Sequence, residues 1–106
     1  MTKSSKAIYR KGDAFSKLAK ARGFRSRSAL KLLEIQKKDN FIKPSSRILD
    51  LGSSPGGWSQ VCLQIVGKKG FIFSVDKKIM EPLKGVNYLN KELEQLRERD
   101  FEKYDE

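Results

Sequence analysis

The sequence contains one cysteine and no histidine among its 106 residues. Cys62 alone cannot form an internal disulfide, and the absence of histidine excludes histidine-based catalysis and histidine-ligated zinc. No apolar run approaches the roughly 20 residues that a membrane-spanning helix needs. Residues 1–10 are polar and basic and lack the apolar core of a secretory signal. These absences predict one small domain, or part of one, without membrane or metal partners and with a cytoplasmic location as the default.

Acidic residues are scarce in the first half of the chain. The formal net charge is +10, and residues 1–47 hold fourteen Lys and Arg against three Asp and Glu, whereas residues 48–106 hold nine against ten. Such asymmetry favours a polyanionic partner, most simply RNA or DNA. Tyr9, Phe15 and Phe24 lie among the basic residues and offer rings on which bases can stack. The alternative is a solvated basic tail.

Two short helices are predicted ahead of the first strand. Apolar spacing predicts a helix over residues 13–22 that stops at Gly23, and a second over residues 29–38, with Ser26 or Ser28 as its N-cap. The buried stripe of the second helix is predicted to contain Ala29, Leu32, Leu33 and Ile35.

The rest of the chain alternates between strand-like and helix-like segments. A strand at residues 47–51 is followed by a helix with apolar residues at i, i+3, i+4 and i+7, which Gly67 closes. Two strands joined by a helix require a parallel βαβ unit. The further predictions are a strand at 71–75 ending in Asp76, a short strand at 86–89, and a helix over residues 92–99.

A glycine-rich turn follows the first strand, in the segment Asp50-Leu51-Gly52-Ser53-Ser54-Pro55-Gly56-Gly57-Trp58. Strand, glycine turn and helix N-terminus form the usual cradle for a nucleotide-like ligand. Asp76 lies roughly 20 residues beyond the turn, where an acid hydrogen-bonds a ribose diol. The acid directly before the turn favours the cationic methyl donor S-adenosylmethionine over a dinucleotide, although an NAD-binding turn is an alternative. The alternative for Asp76 is a cap on the next segment, and the alternative for Trp58 is a core residue at the start of the helix.

Three segments together carry a family resemblance: residues 23–35 (GFRSRSALKLLEI), residues 50–60 (DLGSSPGGWSQ) and Ser74-Val75-Asp76. The chain from about residue 12 to about residue 93 resembles the FtsJ-like ribosomal RNA large-subunit methyltransferases. The resemblance implies an α/β, Rossmann-like, S-adenosylmethionine-dependent methyltransferase fold, here truncated after its third strand. It also implies methylation of a ribose 2′-hydroxyl in RNA.

The resemblance also implies individual site residues. Lys31 matches the first lysine of the family's catalytic Lys-Asp-Lys-Glu set, whose other members lie on later strands and loops. The alternative for Lys31 is a phosphate-contacting or solvated lysine. Glu92 stands where family members carry an Asp beside the adenine. The predicted cofactor-binding set is Asp50, Gly52, Gly56, Trp58, Asp76 and Glu92.

RNA contacts are expected from the basic segment, through Arg22, Arg25, Arg27, Lys37 and Lys38. The predicted organisation is a flexible basic N-terminus at residues 1–12, basic RNA-facing helices at 13–47 and a cofactor-binding half at 48–106. The chain is expected to need a C-terminal half or a partner chain to complete its sheet. The alternative is a fragment, or half of a split enzyme, that binds RNA or S-adenosylmethionine without catalysis.

Overall fold

The computed structural model describes residues 14–104, so the predicted flexible segment at 1–12 lies outside the described residues. Within that range the chain forms a small α/β unit, as predicted. Its elements in order are α1 (14–21), α2 (Ser28–Asp39), β1 (Arg47–Leu51), α3 (Gly57–Val66), β2 (Phe71–Asp76), β3 (Asn87–Asn90) and three 3-10 turns (Leu93–Gln95, Glu98–Asp100, Glu102–Tyr104).

The three strands form one parallel sheet in the order β1-β2-β3. The register pairs Arg47 with Phe71 and Phe73 with Asn87. Strand β3 lies one residue later than the predicted span of 86–89. Because β2 is central, β1 is an edge strand with no second neighbour among the described residues.

The core lies between the helices and one face of the sheet. Ala29 and Leu32 from α2 pack with Val61 and Cys62 from α3 and with Ile72 from β2. Burial raises the pKa of the Cys62 thiol to about 11, so this cysteine is an unreactive core residue. Of the predicted stripe on α2, Leu33 and Ile35 are only partly buried.

The opposite face of β2 is covered by aromatic side chains from the last described residues. The ring of Tyr104 lies 5.0 Å from that of Phe71 and 5.1 Å from that of Phe73, and Phe101 lies 5.0 Å from Phe73. The guanidinium of Arg47 sits 4.4 Å from the Phe71 ring centroid and donates to the Tyr104 carbonyl at 2.9 Å. This packing buries β2 on both faces.

Two local predictions are wrong. The helix expected over residues 92–99 is replaced by two 3-10 turns. Asp100 accepts from the Arg97 amide at 2.9 Å and pairs with Lys91 at 2.9 Å, which favours short turns over one continuous helix. The expected serine N-cap of α2 is also absent: Arg27 occupies the N-cap position without a side-chain cap.

In the part of the chain that the structure describes, no helix is long and apolar enough to cross a bilayer. The same residues hold no cluster of three or more Cys, Asp or Glu side chains able to ligate a metal ion.

Candidate ligand-binding site

The glycine turn connects β1 to α3 and is held over the end of β2. The amides of Gly52 and Ser53 donate to the Val75 carbonyl at 2.7 and 3.1 Å. Gly52 and Gly56 have φ of 77° and 116°, a region that residues with a Cβ rarely adopt. The turn and the end of β2 therefore lie at the same edge of the sheet, as predicted for parallel strands.

Asp76 ends β2 and touches the turn directly. Its Oδ2 accepts from the Ser54 amide at 2.8 Å, and its Oδ1 accepts from the Lys78 amide at 2.9 Å. These bonds lower the pKa of Asp76, the Lys78 amide being the largest cause, and the nearby Lys77 and Lys78 charges add to the effect. Asp76 thus caps the segment that follows β2, and the same ionised carboxylate holds the glycine turn.

Asp50, in β1, faces a hydrogen-bonded pair of buried serines. The Ser59 hydroxyl donates to Asp50 Oδ2 at 2.6 Å and lies 2.6 Å from the Ser74 hydroxyl. Because the ionised carboxylate only accepts, the Ser59 proton points to Asp50 and Ser74 is the donor to Ser59. Burial raises the pKa of Asp50; the Ser59 bond opposes that shift, and the charge of Asp76 adds to it.

A cavity of about 280 Å³ opens beside the turn. The indole of Trp58 forms part of its wall and donates to the Ser28 carbonyl at 3.0 Å. The Trp58 side chain is 41% exposed, so its alternative role as a core residue is wrong. The lining residues are Ser26, Ser28, Asp50, Leu51, Gly52, Ser53, Ser54, Pro55, Gly57 and Trp58.

The predicted cofactor residues are brought together only in part. Asp50, Gly52 and Trp58 line the cavity, and Asp76 reaches its wall through Ser54. Glu92 is exposed beyond the end of β3 and is not part of the lining. Gly56 lies in the turn at the N-cap of α3 and is buried.

Sequence reasoning missed the polar residues that support the site. Ser26 and Ser28 were identified only as possible helix caps, yet both line the cavity. Ser59 and Ser74 carried one weak signal, since each is a small polar residue within an apolar element. Nothing in the pattern indicated that the two would meet.

The catalytic candidate Lys31 is exposed on α2, three residues beyond Ser28. Residues three apart lie on the same face of a helix. Lys31 therefore lies about one helical turn beyond Ser28, which lines the cavity. Its proposed catalytic role stays a prediction.

The predicted RNA-binding residues divide into two groups. Arg22 lies over the ring of Phe24 at 5.7 Å, and it is exposed, as are Arg27, Lys37 and Lys38. Arg25 is partly buried, and its guanidinium donates to backbone carbonyls beside the glycine turn. RNA contact by each of the five stays a prediction.

A second cavity, of about 310 Å³, lies along the open edge of β1. It shares Asp50 and Trp58 with the first cavity and is otherwise mostly apolar. Phe41, Leu49 and Leu51, on or beside this edge, are 55%, 49% and 50% exposed. A long apolar edge of this kind is normally covered by another element.

Comparison with known proteins identifies similar chains. A sequence model described as FtsJ-like methyltransferase matches residues 24–105. The ribosomal RNA large subunit methyltransferase E of Marinobacter nauticus is 49% identical over 77 residues, which are 73% of this chain and 37% of that protein. The enzyme of the same name from Dechloromonas aromatica is 43% identical over 90 residues, covering 83% of this chain and 44% of that protein.

A solved structure gives the same result for the fold. A Plasmodium falciparum protein named as a ribosomal RNA methyltransferase superimposes with a TM-score of 0.63 at 41% identity, covering 68% of this chain and 40% of that one. The matched parts of this chain thus span 37%, 44% and 40% of the length of these relatives.

Proposed function

We propose, from the premise that this chain belongs to the FtsJ-like methyltransferase family, that it is the S-adenosylmethionine-binding part of an RNA 2′-O-ribose methyltransferase. The observation that carries the proposal is the meeting of a glycine turn and two carboxylates, Asp50 and Asp76, at one edge of the sheet. The names of the two curated relatives support ribosomal RNA as the substrate. A cytoplasmic location is proposed together with this function.

Asp76 suits a ribose diol. An ionised carboxylate has about four lone-pair positions, and two are used here by the Ser54 and Lys78 amides. The remaining positions can accept from two hydroxyl groups. The lowered pKa of Asp76 keeps it ionised, so it remains an acceptor at neutral pH.

Asp50 suits a cation. S-adenosylmethionine supplies a methyl group on a positively charged sulfonium and also carries an ammonium group. The carboxylate of Asp50 lines the cavity with its charge supported by a single serine hydroxyl. The pyrophosphate of NAD would place negative charge beside Asp50 and Asp76, which disfavours the dinucleotide alternative.

Lys31 is proposed to act on the RNA. A ribose 2′-hydroxyl is a weak nucleophile that must be oriented toward the methyl group while its proton is accepted. The exposed position of Lys31 one turn beyond Ser28 leaves it accessible to a bound polyanion. The family resemblance assigns the other three catalytic groups to segments without a counterpart in these 106 residues.

We therefore propose that methyl transfer needs a second segment, either a C-terminal half or a partner chain, that completes the sheet along β1. The exposed Leu49 and Leu51 and the apolar cavity beside them support this edge as the place of contact. The chain by itself is expected to bind the cofactor and RNA but to transfer methyl groups slowly or not at all.

The test is transfer of labelled methyl groups to undermethylated large-subunit ribosomal RNA. The 106-residue chain is assayed alone and joined to the C-terminal part of a curated relative. Joining should restore transfer, and Lys31→Ala should abolish it while leaving cofactor affinity nearly unchanged. Cofactor and RNA binding without transfer in the joined protein would favour the non-catalytic alternative, and robust turnover by the chain alone would refute the need for a second segment.

A further inference from the structure

The guanidinium of Arg25 joins two loops at the carboxyl edge of the sheet. Nη1 donates to the Pro55 carbonyl and Nη2 donates to the Pro82 carbonyl, each at 3.0 Å, and Nη1 also donates to the Glu81 carbonyl. Pro55 belongs to the glycine turn, while Glu81 and Pro82 belong to the loop that follows Asp76. One side chain therefore connects the glycine turn with the loop that follows Asp76.

The backbone of Arg25 is itself anchored to α3. Its amide donates to Gln60 Oε1 at 2.8 Å, and Gln60 Nε2 donates to the Gly23 carbonyl at 3.0 Å. The side chain thus extends from a fixed base on the helix that begins at the glycine turn. Gln60 contributes two hydrogen bonds to this base from a single amide group.

Arg25 also packs directly on the turn. A Cβ at Gly56 would lie 3.0 Å from Arg25 Nη1 and 3.3 Å from its Cδ, so the absence of a side chain at Gly56 makes room for the arginine. Gly56 has φ 116°, and the guanidinium lies against this left-handed backbone. The guanidinium of Arg25 therefore both packs against Gly56 and donates a hydrogen bond to the neighbouring Pro55 carbonyl.

The partners of Arg25 distinguish it from the other basic residues of the segment. Arg27, Lys37 and Lys38 are exposed. The planar guanidinium of Arg25 instead donates hydrogen bonds to three backbone carbonyls. Within residues 14–104 no salt bridge involves Arg25. Its charge therefore supports carbonyl groups of the loops and does not neutralise a carboxylate.

We infer that Arg25 is a positioning residue, which holds the glycine turn and the 77–85 loop in the arrangement that binds the methyl donor, and is not a phosphate contact. The inference rests on the proposed cofactor site. Lysine cannot replace arginine fully, because a single ammonium group cannot span both loops with the fork geometry.

The experiment compares Arg25→Gln, Arg25→Lys and Arg27→Gln in the full 106-residue chain. S-adenosylmethionine affinity is measured by calorimetry, and affinity for a polyuridine oligonucleotide is measured over a range of salt concentrations. Acrylamide quenching of Trp58, the only tryptophan, reports the packing beside the turn. Amide hydrogen exchange over residues 53–57 gives a readout that needs no ligand.

Arg25→Gln should weaken cofactor binding by roughly tenfold or more, because charge-assisted hydrogen bonds at the turn are lost. Arg25→Lys should recover part of that loss. Both variants should raise Trp58 quenching and exchange at 53–57 while the salt slope of RNA binding stays unchanged. Arg27→Gln should leave cofactor affinity unchanged and reduce the salt slope by about 0.7, the value for one lost phosphate contact on a single strand.

Cofactor affinity within about twofold of wild type in Arg25→Gln would overturn the inference, as would a salt slope reduced as in Arg27→Gln. If Arg25→Gln does not fold, Arg25→Lys is used instead, and wild-type exchange at residues 53–57 in that variant would overturn the inference. Failure of the wild-type chain to bind S-adenosylmethionine would contradict the proposed function instead. Exchange at residues 53–57 would then still decide whether Arg25 holds the turn, since unchanged exchange overturns that role.

Discussion

Replacing Ser59 by alanine should destabilise the protein through the carboxylate of Asp50. Ser59 is fully buried in α3, donates to Asp50 Oδ2 at 2.6 Å and accepts from the Ser74 hydroxyl at 2.6 Å. The alanine variant removes both bonds at once. No alternative donor to Asp50 is present among the hydrogen bonds of the described residues.

The expected cost can be worked from these two bonds. A hydrogen bond to a charged group contributes about 1.5–3 kcal/mol and a neutral one about 0.5–1.5 kcal/mol. Asp50 is only partly buried, so water can replace part of the lost bond to its carboxylate. We therefore expect the free energy of unfolding at neutral pH to fall by about 2–3 kcal/mol.

The pH dependence gives a sharper test than the magnitude. The Ser59 bond lowers the pKa of Asp50 against the larger effect of burial, so the alanine variant should have a still higher Asp50 pKa in the folded state. Linkage then makes the difference in stability fully present above the variant's Asp50 pKa. This difference in stability should shrink as the pH falls from the variant's Asp50 pKa to the wild-type Asp50 pKa, because Asp50 then becomes protonated in both proteins.

The assay is urea unfolding followed by Trp58 fluorescence at neutral and acidic pH. Ser74→Ala is the matched control, because it removes a buried serine hydroxyl that, among the described residues, bonds to Ser59 and not to Asp50. Its cost should be smaller and nearly independent of pH. In Asp50→Asn, adding Ser59→Ala should cost less than it does in wild type. A Ser59→Ala cost below about 0.5 kcal/mol, or one equal at both pH values, would refute the reasoning.

Three further predictions concern ligands. Asp76→Asn should weaken S-adenosylmethionine binding by about 1–3 kcal/mol through loss of a charged acceptor; calorimetry that finds NADH bound and S-adenosylmethionine ignored would contradict the assignment. Cofactor affinity should fall as the pH drops through the raised pKa of Asp50, since a cationic ligand needs the ionised carboxylate, and Asp50→Asn should flatten the profile. The triple variant Arg22→Gln, Lys37→Gln, Lys38→Gln should weaken polyuridine binding and reduce its salt slope by about 2; an unchanged slope would mean that these charges are only solvated.

The structure determines how the RNA test must be designed. Removing the basic segment through residue 27 would also remove Ala19 and Phe24, which are core residues at 1% and 8% exposure. Such a deletion would reduce stability as well as charge. Charge-neutralising substitutions at exposed positions separate the two effects.

Much of the fold and the centre of the site could be predicted from local patterns. The strand, glycine turn and helix from Arg47 to Val66 follow from apolar spacing and glycine placement, and the structure confirms them. The ends of parallel strands meet at one edge, so the proximity of Asp76 to the turn was also predictable. The family resemblance, based on these same motifs, is confirmed over residues 24–105.

The sequence by itself therefore determined the βαβ unit, the carboxyl edge of its sheet and the family. Only the tertiary structure decided which polar groups meet there. Arg25 and Pro82 are 57 positions apart, and Ser59 and Ser74 are 15 apart on different elements. The helix expected at 92–99 is wrong for a related reason: Asp100 bonds to the Arg97 amide and to Lys91, which favours short turns over one helix. Periodicity reports which face of an element is buried, but the partner of each polar group is set by packing between distant segments.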